Sequence, residues 1–243
     1  MMARSSATKR PLVVGVIASG ADLDCALRMR KPPDLFELRL DRLAGIVEQH
    51  RRFSRAREPC SELENKLPRL RAPLIITARH AQEGGANNLS VRQRRDLLTR
   101  FLRHARYVDV ELRSASALRS VLISAKQKKV RRIISFHNFK ATPRPRILAM
   151  KARAAKARGA DIFKVASRTD TPVQLARLLS FIENKNVDLP VSSMGIGKLG
   201  AISRVLLARA GSALVYGSIT RGSDIEGQLS LEQLRTLGIA SRR

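Results

Sequence analysis

The chain has 243 residues, 44% of them hydrophobic, and carries 47 Lys+Arg against 20 Asp+Glu for a formal net charge of +27. This length and apolar content support one large domain whose core needs no staples, and two cysteines (Cys25, Cys60) with four scattered histidines exclude a disulfide framework and a zinc cluster. The cations are spread over the whole chain and only 4% of residues are aromatic, so nucleic acid is not the expected partner, and no apolar run approaches the ~18 residues of a membrane span.

Residues 1–10 read as a flexible basic tail and 11–243 as a single domain. The apolar run Pro11–Ser19 is too short for a signal peptide and is followed by a poor cleavage site, Gly20-Ala21-Asp22. Few cysteines and no disulfide pattern suit the cytoplasm. Apolar, β-rich runs then recur in order: Leu12–Ile17, Phe36–Asp41, Leu74–Arg79, Tyr107–Leu112, Arg132–His137, Ile162–Ala166, Leu189–Met194 and Ala213–Ile219. Helical patterns lie between them, among them Val91–His104, Ser114–Lys126, Pro145–Ala157, Pro172–Asn184 and Ala201–Ala210. The widest gap, Arg42 to Arg71, reads as a longer helix and loop. Alternating units of this length predict an α/β fold, a (β/α)8 TIM barrel, in preference to an open doubly wound sheet.

In such a barrel functional side chains gather at the C-terminal ends of the strands. The second strand presents Glu37, Arg39 and Asp41 in alternation, so all three share a face. The third ends at Arg79 and leads to Glu83-Gly84-Gly85, whose glycines allow a tight turn that holds Glu83 over the mouth. The fourth carries Asp109 and Glu111, the fifth ends Phe136-His137-Asn138, and the sixth holds Lys164 inside Ile162-Phe163-Lys164-Val165-Ala166. Burying a lysine costs several kcal/mol unless it is paired or neutral. A desolvated amine is a nucleophile suited to imine formation with a carbonyl compound. His50, His80 and His104 lack a strand-end position. The clusters Arg92-Gln93-Arg94-Arg95 and Lys126-Gln127-Lys128-Lys129 read as outer helix faces. Gly195-x-Gly197-x-x-Gly200 has the spacing of a dinucleotide fingerprint, but it follows the seventh strand instead of the first and reads as a loop that holds an anion on its N–H groups.

These residues together resemble the type I 3-dehydroquinate dehydratases of the shikimate pathway. The matching pieces are Glu37-x-Arg39-x-Asp41, Arg79 with Glu83-Gly84-Gly85, Ser135-Phe136-His137, Phe163-Lys164-Val165-Ala166, Met194-Gly195 with Gly200 and Ser203-Arg204, and Gly227-Gln228. The resemblance implies a (β/α)8 barrel, no metal and no cofactor, and a covalent imine intermediate. It implies that Lys164 forms the imine with 3-dehydroquinate, that His137 shuttles the proton and that Glu83 orients it. Arg204 would pair with the substrate carboxylate, while Glu37, Arg39, Arg79 and Gln228 complete the pocket, with Asp41, Asp109 and Glu111 balancing the arginines. A homodimer is expected. The same inventory leaves two other readings: a class I aldolase on the same barrel, and a basic barrel without catalysis that binds nucleic acid. Two departures touch binding. The family's Ser-Ala-Pro-Gly-Gln after the eighth strand is here Asp224-Ile225-Glu226-Gly227-Gln228, which sets Asp224, or Ser223 with a shift of one, at the substrate-binding serine. Gly15 stands where the first strand often has a serine. The expectation is retained chemistry with a raised KM.

Overall fold

The structure, a computed structural model, describes residues 10–43, 59–184, 187–220 and 225–239. Eight parallel strands alternate with helices: β1 Leu12–Ile17, β2 Leu35–Arg39, β3 Leu74–Thr77, β4 Ala105–Glu111, β5 Arg131–Asn138, β6 Ile162–Arg168, β7 Val191–Ile196 and β8 Leu214–Ser218. The helices that follow them in turn are α1 Gly20–Arg28, α2 Pro59–Lys66, α3 Val91–Phe101, α4 Arg119–Gln127, α5 Pro145–Ala157, α6 Pro172–Glu183, α7 Gly200–Arg209 and α8 Leu231–Thr236. The strand order is β7-β6-β5-β4-β3-β2-β1-β8. Between β7 and β8 the backbone N–H of Ala213 donates to Val191 O at 2.8 Å, and two serine hydroxyls bridge the strands: Ser212 Oγ accepts from Ser193 N at 3.0 Å and Ser192 Oγ donates to Leu214 O at 3.0 Å. The ring of strands thus closes into the expected (β/α)8 barrel.

Strand alternation sorts the side chains into two populations. Phe36, Leu38, Ile76, Val108, Val110, Ile134, Phe163 and Val165 point outward and are fully buried under the helices. Phe163, for example, meets Phe181 of α6 edge-on at 6.3 Å, and burying such a ring contributes about 1.5–3 kcal/mol. The inward set begins with an apolar plug of Val14, Leu35, Ile75, Tyr107, Ile133, Ile162 and Leu214. Above the plug the inward residues turn polar: Glu37, Thr77, Asp109, Ser135 and Lys164. Several helices start on side-chain caps. Ser90, Thr171 and Ser230 each form a capping box with Gln93, Gln174 and Gln233, which fixes where α3, α6 and α8 leave the barrel mouth.

Three expectations change. The second strand ends at Arg39, because a helical turn opens at Leu40; Asp41 therefore lies beyond the strand rather than on its face. The third strand ends at Thr77, two residues before Arg79. Arg94 is no outer-face residue: it is fully buried beneath the mouth. The tail assigned to residues 1–10 lies outside the described residues except for Arg10, whose guanidinium pairs with Asp34 at 2.7 Å. Of the Arg42–Arg71 gap, the structure describes α2 and a 3-10 turn, Leu67–Arg69.

Candidate active site

A cavity of about 330 Å³ opens at the C-terminal ends of the strands. Its lining includes Glu37, Arg39, Arg79, Glu83, His137, Lys164, Arg204 and Gln228. The residues singled out in sequence thus come from six strands or strand-end loops and converge on one space. Ser223 and Asp224 lie outside the described residues.

Lys164 sits at the centre and is buried. Its Nζ donates to Asp109 Oδ2 at 3.0 Å and Glu37 Oε1 at 3.3 Å, and it lies 3.9 Å from the centre of the Tyr216 ring. β6 pairs with β5 so that Lys164 is level with Ser135 and Ala166 with His137. The amine and the imidazole therefore project inward from adjacent strands at successive inward positions.

Each carboxylate in the barrel has a cation. Asp109 takes Arg79 Nη2 at 2.9 Å, Lys164 at 3.0 Å and Ser135 Oγ at 2.6 Å. Burial would raise its carboxyl, but Arg79 and Lys164 outweigh this and hold it far below the usual carboxylate range. Burial likewise works against the Arg79 charge, but Asp109, Glu111 and Glu37 raise it above the ordinary arginine value. Arg39 grips Asp41 with two hydrogen bonds of 2.9 and 2.7 Å, and its Nη2 also reaches Gly84 O at 3.1 Å. Glu111 pairs with the buried Arg94 and accepts from His80 N at 2.8 Å. Asp41, Asp109 and Glu111 thus stand beside the arginines they were expected to balance.

Glu83 and His137 form a different kind of pair. Glu83 ends a 3-10 turn, Ala81–Glu83, that Gly84 closes in the left-handed region at φ 82°. Its Oε2 lies 2.9 Å from His137 Nδ1 and accepts the His137 backbone N–H at 3.0 Å. Burial, aided by the nearby Glu111 charge, pushes the Glu83 carboxyl up to about 7. Burial, with Arg79 and Lys164 close by, pushes the His137 imidazole well below its usual value, so the ring is neutral at physiological pH.

Arg204 of α7 is buried, and its guanidinium has no carboxylate within ion-pair distance among the described residues. Nη1 donates to the carbonyls of Gly195, Gly200 and Gly227 at 2.9, 2.9 and 2.7 Å, and Nε to Tyr216 O at 3.3 Å. Nη2 makes no hydrogen bond with a described residue. Burial lowers the Arg204 pKa to about 10. The glycine run serves this geometry. Gly200 lies against Gly227, where an added Cβ would come within 3.0 Å of the Gly227 backbone. The N–H groups of residues 197–200 are all occupied, by Glu226 O, Asp170 Oδ1, Thr169 O and Gly197 O. The expected anion site on those N–H groups is therefore closed, and the cation open to an anion here is Arg204.

Sequence reading passed over three cavity residues. Tyr216 faces Lys164, and its hydroxyl is buried with no hydrogen-bond partner among the described residues; burial, then Glu37 and Asp109, raise its pKa well above the usual phenol. Phe139 stacks on His137 at 6.4 Å. Arg168, the inward position after Ala166, reaches Glu226 Oε2 at 3.0 Å across the mouth. Strand alternation from Lys164 could have found Arg168; nothing local marks its partner, 58 positions on.

A barrel mouth that holds a buried amine between two carboxylates, beside a neutral histidine and a buried guanidinium with no carboxylate partner among the described residues, defines an enzyme of the imine-forming (β/α)8 class. The sequence pattern of the Type I 3-dehydroquinase family matches residues 18–238. A 3-dehydroquinate dehydratase of Pyrococcus abyssi is 32% identical over 208 residues, covering 84% of this chain and 86% of that protein. That of Geobacillus kaustophilus is 31% identical over 216 residues, covering 86% and 80%. The crystal structure of 3-dehydroquinate dehydratase from Geobacillus kaustophilus superimposes with a TM-score of 0.80 at 28% identity, covering 94% of this chain and 90% of that one. The chain belongs to the type I 3-dehydroquinase family.

Proposed function

We propose that this enzyme dehydrates 3-dehydroquinate to 3-dehydroshikimate through an imine on Lys164. The observation that carries the reading is the placement of a buried amine and an imidazole on adjacent strands of one cavity. The Lys164 amine adds to the substrate ketone, and the carbinolamine loses water to give an iminium. The iminium draws electrons from the neighbouring C–H bond, whose proton His137 accepts at Nε2. The resulting enamine expels the β-hydroxyl, which leaves as water with the proton that His137 returns. A second water hydrolyses the conjugated imine and releases product and the free amine. Net, one water leaves the substrate.

Glu83 holds the imidazole in register through Nδ1. Arg204, buried and with no carboxylate partner among the described residues, offers Nη2 to the substrate carboxylate; a guanidinium fork suits that group. Arg39, Arg79, Glu37 and Gln228 supply donors and acceptors for the ring hydroxyls. Asp224 or Ser223 would add a contact from the loop after β8.

Borohydride added with 3-dehydroquinate should trap a reduced adduct on the peptide that contains Lys164, and Lys164→Ala should abolish both adduct and turnover. Turnover without an adduct would exclude the imine route.

A homodimer is the proposed assembly. Ile147, Val173 and Ile202, 39, 62 and 52% exposed, stand near the starts of the adjoining helices α5, α6 and α7 and form an apolar rim beside the mouth. Light scattering should give twice the chain mass, and Val173→Glu with Ile202→Glu should return it to one. No described helix is long and apolar enough to cross a membrane. Cys25 and Cys60 form no disulfide, which supports a cytoplasmic location.

A further inference from the structure

The fold gathers at one end of the barrel cations that the sequence scatters. The segments leading from α2 to β3, from α3 to β4 and from α4 to β5 run at the end opposite the mouth, and β3, β4 and β5 are neighbours in the sheet. Arg69, Arg71, Arg106, Lys126, Lys128 and Lys129 are exposed there. None of these six pairs with a carboxylate among the described residues. The carboxylates nearby are already engaged: Glu64 by Arg100 and Arg103 at 3.1 and 3.0 Å, Glu62 by Lys66 at 3.1 Å and Asp161 by Arg132 at 3.1 Å.

A cation in the last turn of a helix complements the helix dipole, which accounts for Lys126. It does not account for Arg69, Arg71 and Arg106, which lie beyond the ends of α2 and α3. The large apolar side chains that the protein exposes, such as Ile123 and Phe139, lie outside these connecting segments. The surface therefore offers charge without an apolar anchor of the kind that seats a protein in a lipid interface. It also lacks the aromatic platforms that hold single-stranded bases. What fits is a partner with closely and regularly spaced anions on a stiff frame.

We propose that this end of the barrel docks on the phosphate backbone of duplex nucleic acid without sequence preference. Substrate access is unaffected by such docking. β5 runs from Arg131 at the basic end to His137 at the mouth, about 20 Å at ~3.3 Å per residue, so the enzyme can bind a duplex at one end and turn over at the other. The proposal is independent of the reading of the mouth.

The test is binding of the full-length protein to a short labelled duplex of arbitrary sequence between about 50 and 200 mM KCl, with turnover measured alongside. Six phosphate contacts predict a slope of log K against log salt of about −5, at roughly −0.9 per contact. Lys126→Glu, Lys128→Glu and Lys129→Glu together should weaken binding at least ~10-fold and make the slope shallower by about 3. The same change of charge at the mouth end, Arg119→Glu, Arg144→Glu and Arg146→Glu, should cost much less affinity. Equal weakening by the two triple variants would overturn the proposal, since attraction would then be diffuse. Inhibition of turnover by the duplex would also overturn it, because the contact would be at the mouth. So would capture by phosphatidylserine vesicles with no binding to the duplex.

Discussion

Glu83 meets His137 twice through one oxygen: Oε2 lies 2.9 Å from the ring Nδ1 and 3.0 Å from the backbone nitrogen. As a carboxylate it fixes the proton on Nδ1 and leaves the Nε2 lone pair for the substrate. As an acid it would instead donate to Nδ1 and move the ring proton to Nε2, where a base is needed. With the Glu83 carboxyl at about 7, kcat/KM should rise with pH through an inflection near 7. In Glu83→Gln the amide oxygen still accepts both N–H groups, so the ring stays oriented. The inflection near 7 should vanish and the plateau fall by roughly 10- to 100-fold. A pH–rate series for the two proteins decides this; an inflection retained in Glu83→Gln would assign the titration to another group.

The same carboxyl makes stability depend on pH. Its value is raised from the usual 4.5 to about 7 in the fold, so the native state favours the protonated form. Stability is therefore fully present below about 4.5 and lost as pH rises through about 7. Replacing Glu83 by Gln removes this loss, and the variant should exceed the parent above pH 7 by up to about 3 kcal/mol, at ~1.4 kcal/mol per unit. The advantage should shrink as pH falls toward 4.5. Urea unfolding at a series of pH values measures the difference. A difference that does not change with pH would mean that Glu83 is not the group responsible.

Arg204 combines two tasks that are separable by substitution. Nη1 and Nε tie together β7, β8 and the segments that follow them through four backbone carbonyls, while Nη2 makes no hydrogen bond with a described residue. A lysine cannot span both. Arg204→Lys should lower kcat/KM by roughly 100-fold, mainly through KM, as expected for losing a charged, hydrogen-bonded contact of about 3 kcal/mol. It should also lower stability by about 1–3 kcal/mol for the carbonyls left without donors. Steady-state kinetics and urea unfolding report the two losses separately. A normal KM in a destabilised variant would leave Arg204 as a structural tie alone.

Much of this was legible because barrel strands alternate. Lys164 and His137 each stand at an inward position of an apolar run, and that placement alone sets both on the inner face of the barrel. Glu83 was legible from Gly84, since the turn it ends requires the left-handed residue. Arg94 was not, because a helical arginine in a basic cluster carries no local sign that it will cross beneath the mouth to Glu111. The reach of β2 was overread at Asp41, where alternation continues in sequence while the backbone has already turned helical. The glycine run after β7 was read for its N–H groups, but its lack of side chains serves contact with Gly227. Each miss depends on a partner that is remote in sequence.

The altered loop after β8 is the departure that the structure explains in part. Glu226 stands where the family pattern that this sequence resembles has proline, and its carboxylate does not face the cavity centre unpaired: Oε2 meets Arg168 Nη1 at 3.0 Å. Arg168 is braced by Asp170 at 2.5 Å, and Asp170 accepts Lys198 N at 2.9 Å. The chain of contacts runs from the loop after β7 through the end of β6 to the strap 225–228. That strap carries Ile225 and Gln228 on the cavity wall. The pair is partly exposed and so individually weak. Its effect should appear in substrate binding, with Glu226→Gln and Arg168→Gln each raising KM by roughly two- to fivefold at nearly constant kcat. If the two residues act as one tie, the double variant should be no worse than the poorer single, and added salt should raise the parent KM toward the variants' value. Additive effects in the double variant, with no response to salt, would show that the two side chains act separately on the site.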